Sequence, residues 1–412
     1  AINKITMGDG SVKFVEQNLL NTDLTLNLSQ NLSWTGGSFF LETSAQRMDL
    51  FSEHKYSWQT SPIMIGYRQS LFGYNSLKWD KRIEPVRYQE AKKSYVETLE
   101  LVSANAINKF FALATAQSNY DIASFNYANA DTLYRYAQGR YNIGTITENE
   151  MLQLELNRLT EETNRMNARI EMDNCMQELR SYLGIQEERE IRVRVSSRIP
   201  DFSINLNEAL ALAYENSPDI QTMKRRKLES ESAVARARAN AGLKADIYLR
   251  FGLTQTADKL PEAYRNLLDQ QYVSLSISLP ILDWGRGKGQ VRVARSNRDL
   301  VYTQVEQNRT DFELNVRKLV KQFNLQTQRV RIAARTDETA QRRNEVARKL
   351  YILGKSTILD LNASISEKDS ARRNYVSALY NYWSLYYTLR SMTLYDFESN
   401  KLLTEDYNLL IE

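Results

Sequence analysis

The chain contains two copies of one unit, offset by 210 residues, and this internal repeat constrains its fold more than any other feature. Two segments with the pattern Tyr-x-x-Gly-x-x-Thr, residues 141–147 and 351–357, anchor the offset. The same shift places residues 65–74 on residues 275–284. Because one ungapped offset joins a strand pattern, a helical stretch and a turn, the sequence predicts a duplicated strand, long helix, turn and returning helix.

The helices of this unit are predicted to be unusually long. Coiled-coil spacing of apolar residues runs from about Leu77 to Arg140 and from about Lys288 to Leu350. Only 6 Pro and 15 Gly occur in 412 residues, so residues that break helices are scarce. At 1.5 Å per residue each helix spans about 95 Å, which a cylinder or a rod accommodates and a globular domain rarely does.

The turns carry strong signals for ending one helix and starting the next. The glycine of each Tyr-x-x-Gly motif follows the last helical turn, where a left-handed residue is favoured. Thr147-x-x-Glu150 then predicts a capping box that opens the returning helix, and Thr357-x-x-Asp360 predicts a variant of it. From spacing alone, the two carboxylates fit helix capping and a role in a pore equally well.

The segment between the two copies predicts an irregular region that lies between two shorter helices, midway along the long ones. The first returning helix ends near Gly184, and residues 191–195 alternate as a short strand. Residues 207–241 then predict one further helix. Each of these two shorter helices is about 55 Å long, so that together they match one long helix, with the mixed segment between them.

Four alternating patterns predict strands. The clearest are residues 273–279, 63–71 and 245–254, and the fourth begins at residues 24–29 and continues beyond Gly36-Gly37. Strand lengths of about 9–11 residues suit a tilted crossing of a bilayer. Aromatic residues near the strand ends suit its interfaces: Trp34, Tyr74, Tyr272 and Trp284. Alternation alone also fits a sheet packed on a soluble core, so that alternative stays open.

If the strands lie in a membrane, the alternation predicts which side chains face lipid, and the strand number predicts how the chains assemble. The predicted lipid-facing residues share one phase of the alternation: Ile65, Tyr67, Leu275, Ile277 and Leu279. Four strands cannot satisfy all their backbone hydrogen bonds in a bilayer without closure. Three copies of the chain would close twelve strands, and cyclic symmetry is usual among homo-oligomers.

The composition argues against catalysis and against nucleic-acid binding. The 54 basic and 50 acidic residues are mixed along the chain and give a net charge of +4 without a basic arm. One histidine, His54, and one cysteine, Cys175, leave no multi-histidine metal site, no disulfide framework and a single candidate base for a triad. We therefore expect no enzyme activity, no cofactor and no nucleic-acid partner.

Several segments resemble the TolC-type outer-membrane efflux protein (outer membrane factor) family. They are Asn207–Ile220, Ser276–Gly285 and the two Tyr-x-x-Gly turns. The resemblance runs from about Ser61 to Met392 and includes a duplication similar to that of the family. It implies a mainly α fold with a membrane β-barrel. About four strands per protomer would form a trimeric 12-stranded barrel, continued by a long periplasmic α-helical coiled-coil tube.

The resemblance also implies how the chain is divided. The expected parts are a first strand region with an outward-facing insertion (1–76), a helical hairpin (77–183), an equatorial segment (184–206), an ascending helix (207–242), a strand pair (243–284), a second helical hairpin (285–390) and a C-terminal equatorial segment (391–412). The counterpart of residues 207–242 in the first copy falls before residue 1. We therefore expect the N-terminal helix of repeat one to lie upstream, with any signal peptide or lipidated cysteine.

The function implied by the resemblance is an exit duct in the cell outer membrane, extending into the periplasm. It would serve efflux or type I secretion as a homotrimer, docking to a periplasmic adaptor (membrane fusion) protein and an inner-membrane pump. The expected adaptor-docking tips are Tyr141, Gly144, Thr145, Tyr351, Gly354 and Lys355. The expected pore-gate residues are Asn149, Glu150, Ser356 and Asp360.

Two positions depart from the pattern of some family members. Ser356 stands where some have arginine, so a gate locked by an Arg–Asp pair lacks its arginine here. Ala363 stands where some have a second acidic residue. The alternative function is a non-transporting coiled-coil scaffold of the cell envelope. A scaffold needs neither membrane-length strands nor interfacial aromatic residues, and the sequence contains both.

Overall fold

The structure is a computed structural model that describes residues 2–6, 11–16, 18–51, 54–186, 189–353 and 355–404. The chain divides into two compact units. The sheet unit comprises residues 1–88 and 221–307, and the helical unit comprises residues 89–220 and 308–412. None of the helices in the described ranges contains an apolar stretch that could span a bilayer.

The described ranges contain nine strands, six α-helices and one short 3-10 helix at Glu262–Tyr264. In chain order the elements are β1 (Ile2–Thr6), β2 (Val12–Glu16), β3 (Leu19–Asn31), β4 (Ser38–Leu50), β5 (Lys55–Ser70), α1 (Ser76–Asn142), α2 (Glu148–Tyr182), α3 (Leu206–Asn216), α4 (Pro218–Ala241), β6 (Lys244–Ala257), β7 (Leu268–Ser278), α5 (Arg286–Ile352), α6 (Ile358–Thr393), β8 (Tyr395–Asp396) and β9 (Lys401–Leu402).

The two long helices have equal lengths. α1 and α5 contain 67 residues each, close to the bounds that the apolar periodicity predicts. The first residues of these helices, Ser76 and Arg286, lie 210 positions apart, as do their last residues, Asn142 and Ile352. Each is followed by a short turn and a returning helix, α2 of 35 residues or α6 of 36.

The main sheet has five strands in the order β3-β4-β5-β6-β7, and every neighbouring pair is antiparallel. The expectation of about four strands per chain is therefore corrected to five in this sheet. The pattern near the start of the sequence is two strands of 13 residues, β3 and β4, joined across the Gly36-Gly37 turn. Apolar alternation lapses after Leu41, so the second strand has little local signal. With an odd number of strands, the edge strands β3 and β7 run in the same direction.

The predicted helix over residues 207–241 is two helices. α3 ends at Asn216, and Ser217 is extended, with ψ of 136°, before Pro218 begins α4. Proline lacks a backbone N–H and disfavours the helical conformation of the residue before it, so the helix stops here although the apolar periodicity continues.

The predicted short strand at residues 191–195 is wrong. These residues form no strand, and the side chains of Ile191 and Val193 pack against a buried cluster that includes Leu113 and Met172. The Gln117 amide Nε2 donates to the Ile191 carbonyl at 3.4 Å, and its Oε1 accepts from the Val193 N–H at 3.2 Å. The alternation therefore comes from packing against α1 and α2 and not from pairing with another strand.

The core of the helical unit is aromatic. Phe323 and Tyr382 are fully buried with ring centroids 5.1 Å apart, and Phe202 lies 5.4 Å from Phe323. The Tyr382 hydroxyl donates to the Pro200 carbonyl at 2.9 Å. The Asn324 amide bonds both the N–H and the carbonyl of Ile204, each at 2.9 Å. These contacts hold the irregular segment that ends at α3 against α5 and α6.

A buried ion cluster fixes the C-terminal segment of the described chain. Arg390 on α6 donates from Nη2 to the Glu100 carboxylate on α1 at 3.0 Å and from Nη1 to Asp396 at 3.4 Å. The hydroxyl of Tyr386 also donates to Asp396. Because Glu100 is only 8% exposed, removing Arg390 would leave a buried carboxylate uncompensated.

Candidate functional site

The first turn has the backbone conformation that its glycine predicts. Gly144 has a φ of 68°, in the left-handed region that favours glycine. Its N–H donates to the Tyr141 carbonyl at 2.8 Å, and the Thr145 N–H and hydroxyl both donate to the Arg140 carbonyl at 2.9 Å. These bonds satisfy carbonyl groups that the end of α1 would otherwise leave free. Gly354, for which the same conformation is predicted, lies outside the described residues.

The second turn repeats this pattern where it is described. The Leu353 N–H donates to the Lys349 carbonyl at 3.1 Å, and the Lys355 N–H donates to the Leu350 carbonyl at 2.9 Å. The hydrogen bond from Lys355 to Leu350 is equivalent to the bond from Thr145 to Arg140 in the first turn, 210 residues earlier. Tyr351 is half-buried, and the side chain of Lys355 is exposed.

Both predicted capping boxes are confirmed. The Glu150 N–H donates to Thr147 Oγ1 at 3.3 Å, and Glu150 Oε2 accepts from the Thr147 N–H at 2.9 Å. In the second hairpin the Asp360 N–H donates to Thr357 Oγ1 at 3.2 Å, and Asp360 Oδ2 accepts from the Thr357 N–H at 3.3 Å. The hydroxyl of Ser356 donates to the same Oδ2 at 3.4 Å. Both gate-candidate carboxylates therefore have a capping role within the chain.

These hydrogen bonds favour the charged form of each carboxylate. Bonds from the Thr147 backbone and hydroxyl lower the pKa of Glu150 below its ordinary value. The Thr357 hydroxyl, followed by its N–H and the Ser356 hydroxyl, lowers the pKa of Asp360. Both groups are fully exposed, so both tips carry ionised carboxylates at neutral pH.

The two hairpins meet around a cavity of about 570 Å³. α1 and the first turn contribute Arg140 and Thr145, α2 contributes Glu150, and α5 contributes Arg348 and Tyr351. The structure thus brings together one gate candidate and two tip candidates from different hairpins. The other predicted tip and gate residues that the structure describes do not line this cavity: Tyr141, Gly144, Lys355, Asn149, Ser356 and Asp360.

Three exposed aliphatic residues at the tips were not among the predicted site residues. Ile143 is 74% exposed, Leu353 is 67% exposed and Leu359 is 74% exposed. Ile143 and Leu353 hold the same position in the two Tyr-x-x-Gly motifs. Aliphatic side chains exposed together near the helix ends can form an apolar patch of the kind that binds another protein. The sequence signal was an aliphatic residue directly before the glycine of both turns.

The sheet unit presents one apolar face across all five strands. Directly opposed residues of antiparallel strands share a face, and the register joins Leu28, Leu41, Ile65 and Phe251 in one row. Most apolar side chains of this face are exposed: Leu24, Leu26, Leu28, Phe39, Leu41, Ile63, Ile65, Phe251, Val273, Leu275 and Ile277. Of the other predicted lipid-facing residues, Tyr67 is half-buried on this face and Leu279 is exposed just after the end of β7.

The opposite face of the sheet is polar and aromatic. Phe40 stacks on Tyr248 at 5.7 Å, and Tyr248 meets Tyr272 edge-on at 5.8 Å. The guanidinium of Arg68 lies 5.4 Å from the Tyr248 ring. Ser274 and Ser276 of β7 alternate with the apolar residues and lie on this side. Among the described residues, no group of three or more His, Cys, Asp or Glu side chains could hold a metal ion.

Residues 209–393 match the protein family described as "Outer membrane efflux protein". No curated protein matches the chain by sequence. In structure the chain is similar to the Campylobacter jejuni CmeC outer membrane channel, with a TM-score of 0.67 and 14% identity, covering 96% of this chain and 80% of that chain.

Two further outer-membrane proteins have similar structures. For VceC of Vibrio cholerae the TM-score is 0.63 and the identity 14%, covering 91% of this chain and 87% of that chain. For the open state of the Neisseria gonorrhoeae MtrE outer membrane channel the values are 0.64 and 12%, covering 94% and 81%. At these identities the likeness shows the fold. With the family match it confirms the resemblance to outer-membrane efflux proteins that the sequence predicts.

The capping boxes predict a pH-dependent stability of the two tips. Because folding lowers both pKa values, the stabilisation is complete above the ordinary values of 4.5 for Glu150 and 3.8 for Asp360, and it is lost as the pH falls through the lower folded values. We expect amide-exchange protection at the starts of α2 and α6, corrected for intrinsic exchange, to fall severalfold between pH 7 and pH 2. Glu150→Gln, which retains the capping geometry, should remove the dependence at α2 only. Equal protection at both pH values in the unsubstituted chain would contradict the assignment.

Proposed function

We propose that the chain is one protomer of an outer-membrane channel-tunnel, the exit duct of an efflux or type I secretion system. The observation that carries this proposal is the apolar, exposed face that runs across five adjacent strands of the sheet unit. A soluble monomer rarely exposes a continuous apolar surface of this kind, whereas a sheet in contact with lipid requires one. The family match over residues 209–393 supports the same function.

The edges of the sheet support assembly of several copies. Among the described residues, no strand pairs with the outer edge of β3 or with that of β7. Within a bilayer an open edge leaves N–H and C=O groups without partners, so a sheet has to close. We infer that three copies close their sheets around one pore, with apolar residues facing lipid and the polar and aromatic face turned to the lumen.

The tips support docking of a periplasmic adaptor protein. They combine exposed aliphatic side chains, Ile143 and Leu353, with the exposed polar residues Thr145 and Lys355 on rigidly capped turns. A surface with apolar anchors and polar surroundings is suited to binding another protein. Through the adaptor, an inner-membrane pump would supply the cargo, so the chain itself needs no catalytic group.

The tip carboxylates act at the gate through their charge, because both are already engaged in capping helices. Glu150 and Asp360 each use an oxygen to cap a helix of their own chain. We propose that their ionised state, more than a fixed salt bridge, sets the field at the pore entrance. Three copies would place several carboxylates around one axis, and such acidic rings favour cations over anions.

The lipid face can be tested on two adjacent residues of β7. Ile277→Arg places a charge on the apolar face and should destabilise the membrane-inserted trimer by about 2–4 kcal/mol near the bilayer midplane. Ser276→Arg is the matched control, because Ser276 lies on the other face, opposite Asp246 of β6. We expect trimer recovered from outer membranes to fall strongly for Ile277→Arg and little for Ser276→Arg. Similar losses for both variants would refute the assigned faces.

The docking function of the first tip can be tested with two glycines of the same conformation. Gly144 and Gly184 have φ values of 68° and 69°, and an added Cβ meets nothing within 4 Å at either position. A β-branched residue should cost about 1–2 kcal/mol of local strain at each. Gly184 follows α2, away from the turn. Gly144→Val should therefore abolish export at near-normal trimer abundance, and Gly184→Val should leave export intact. Full export activity in Gly144→Val cells would contradict docking at this turn.

A further inference from the structure

Three aromatic side chains form a continuous surface on the polar face of the sheet unit. Phe40 lies on β4, Tyr248 on β6 and Tyr272 on β7. The rings of Phe40 and Tyr248 stack with their centroids 5.7 Å apart, and Tyr272 meets Tyr248 edge-on at 5.8 Å. We call this surface the aromatic platform. It extends over four neighbouring strands, because the Phe40 ring reaches Tyr248 across β5, which lies between them.

A glycine of β5 lets the Phe40 ring lie flat on the sheet. Gly66 is directly opposite Phe40 in the strand register. A Cβ on Gly66 would collide with the Phe40 ring, so any other residue there would lift this ring off the backbone. Phe40 is only 9% exposed, whereas Tyr272, at the other end of the platform, is 52% exposed. The platform thus has a buried floor and an open edge that a ligand can reach.

Two arginines lie beside the platform. Arg68 is opposite Tyr248 in the register, and its guanidinium carbon lies 5.4 Å from the centre of that ring. Arg250 is directly opposite Tyr272. The Nε of Arg250 is buried, and no described residue accepts a hydrogen bond from it. Because a buried donor without a partner costs free energy, a ligand that supplies an acceptor at this point would be stabilised.

Two carboxylates on the same face lie away from Arg250. Glu42 on β4 accepts a hydrogen bond from Asn27 Nδ2 of β3 at 3.3 Å. Asp246 lies four residues from Arg250 along β6, about 13 Å away. Positive charge therefore predominates next to the rings, and the local field favours an anion.

Rings and guanidinium groups together select one class of ligand. A flat aromatic ring can stack on the platform, and a carboxylate or sulfonate on that ring can accept two parallel hydrogen bonds from a guanidinium. An inorganic anion would leave the rings unused, and an aromatic cation would be repelled by Arg68 and Arg250. We propose that the aromatic platform and these two arginines form a binding site for aromatic anions in the lumen.

This inference rests on the proposed function, which turns the polar and aromatic face to the lumen, and it adds the chemical class of compound that the lumen binds. Three copies of the chain would place three such sites around one pore. The site is compatible with a preference for small cations. The acidic tips act on every ion through charge, whereas the platform also holds its ligand by stacking.

Titration calorimetry on the purified trimer tests the site with two sulfonates. Naphthalene-2-sulfonate carries a flat ring system, and methanesulfonate has the same charge without a ring. We expect naphthalene-2-sulfonate to bind with about one molecule per chain and about tenfold or more tightly than methanesulfonate, because only the first can stack. The comparison uses the unsubstituted protein, so it does not depend on the folding of a variant.

Two substitutions on β6 locate the site. Arg250→Gln removes the charge beside Tyr272 and should weaken the binding of naphthalene-2-sulfonate about tenfold or more. Lys244→Gln is the matched control, because it removes the same charge from the same face, six residues and about 20 Å from Arg250. Its binding should stay within about twofold of the unsubstituted protein, because Lys244 is too far away to contact a ligand on the platform. Circular dichroism and the mass of the trimer check that both variants fold.

Conductance of the same trimer in a planar bilayer separates the site from the duct on which it rests. A trimer that conducts ions but binds both sulfonates equally, or neither, overturns the site and leaves the duct standing. Equal weakening by Arg250→Gln and Lys244→Gln also overturns it. If Arg250→Gln does not fold, Tyr272→Leu takes its place, and unchanged binding in that variant overturns the site. A trimer that passes no current overturns the proposed duct and the lumenal site with it.

Discussion

The backbone hydrogen bonds along two strand edges are the constraint on which the rest of the structure depends. β3 and β7 are each paired on one side only among the described residues, and the apolar face beside them is exposed. In water such edges invite aggregation, and in a bilayer each unpaired group costs several kcal/mol. If the sheet lies in a bilayer, as the proposed function requires, it therefore needs further copies of the chain to be stable.

In the helical unit, too, most groups find partners within one chain and a few remain exposed. Its interior is closed within one chain by aromatic packing around Phe323 and by the Arg390 ion cluster. The backbone N–H groups at its turns are satisfied by nearby residues, because each tip carboxylate caps the helix that begins there. The aliphatic residues at the tips remain exposed to solvent. In the proposed function the sheet edges join copies of the chain and the tips bind a different protein, so assembly and docking use separate surfaces.

Local signals in the sequence were sufficient for the two long helices, the capping boxes and the Gly144 turn, because each of these depends on residues within a few positions. They failed where distant contacts decide. Residues 191–195 alternate because they pack on two helices, and no local pattern distinguishes that from a strand. The break between α3 and α4 was missed for a different reason: Pro218 is a local signal for it, but helical periodicity continues on both sides of the proline. The tip residues Ile143 and Leu353 were missed because apolar side chains in a helical turn usually indicate burial, and only the structure shows them exposed.

If copies of this chain enclose a continuous aqueous path, as proposed, the purified trimer should conduct ions across a lipid bilayer. Purified, folded trimer is added to a planar lipid bilayer, and the current is recorded at constant voltage. We expect discrete conductance steps of uniform size, with a preference for cations because of the carboxylates at the tips. Trimer that inserts into the bilayer but passes no current at any voltage would contradict an aqueous duct and would favour a non-transporting scaffold.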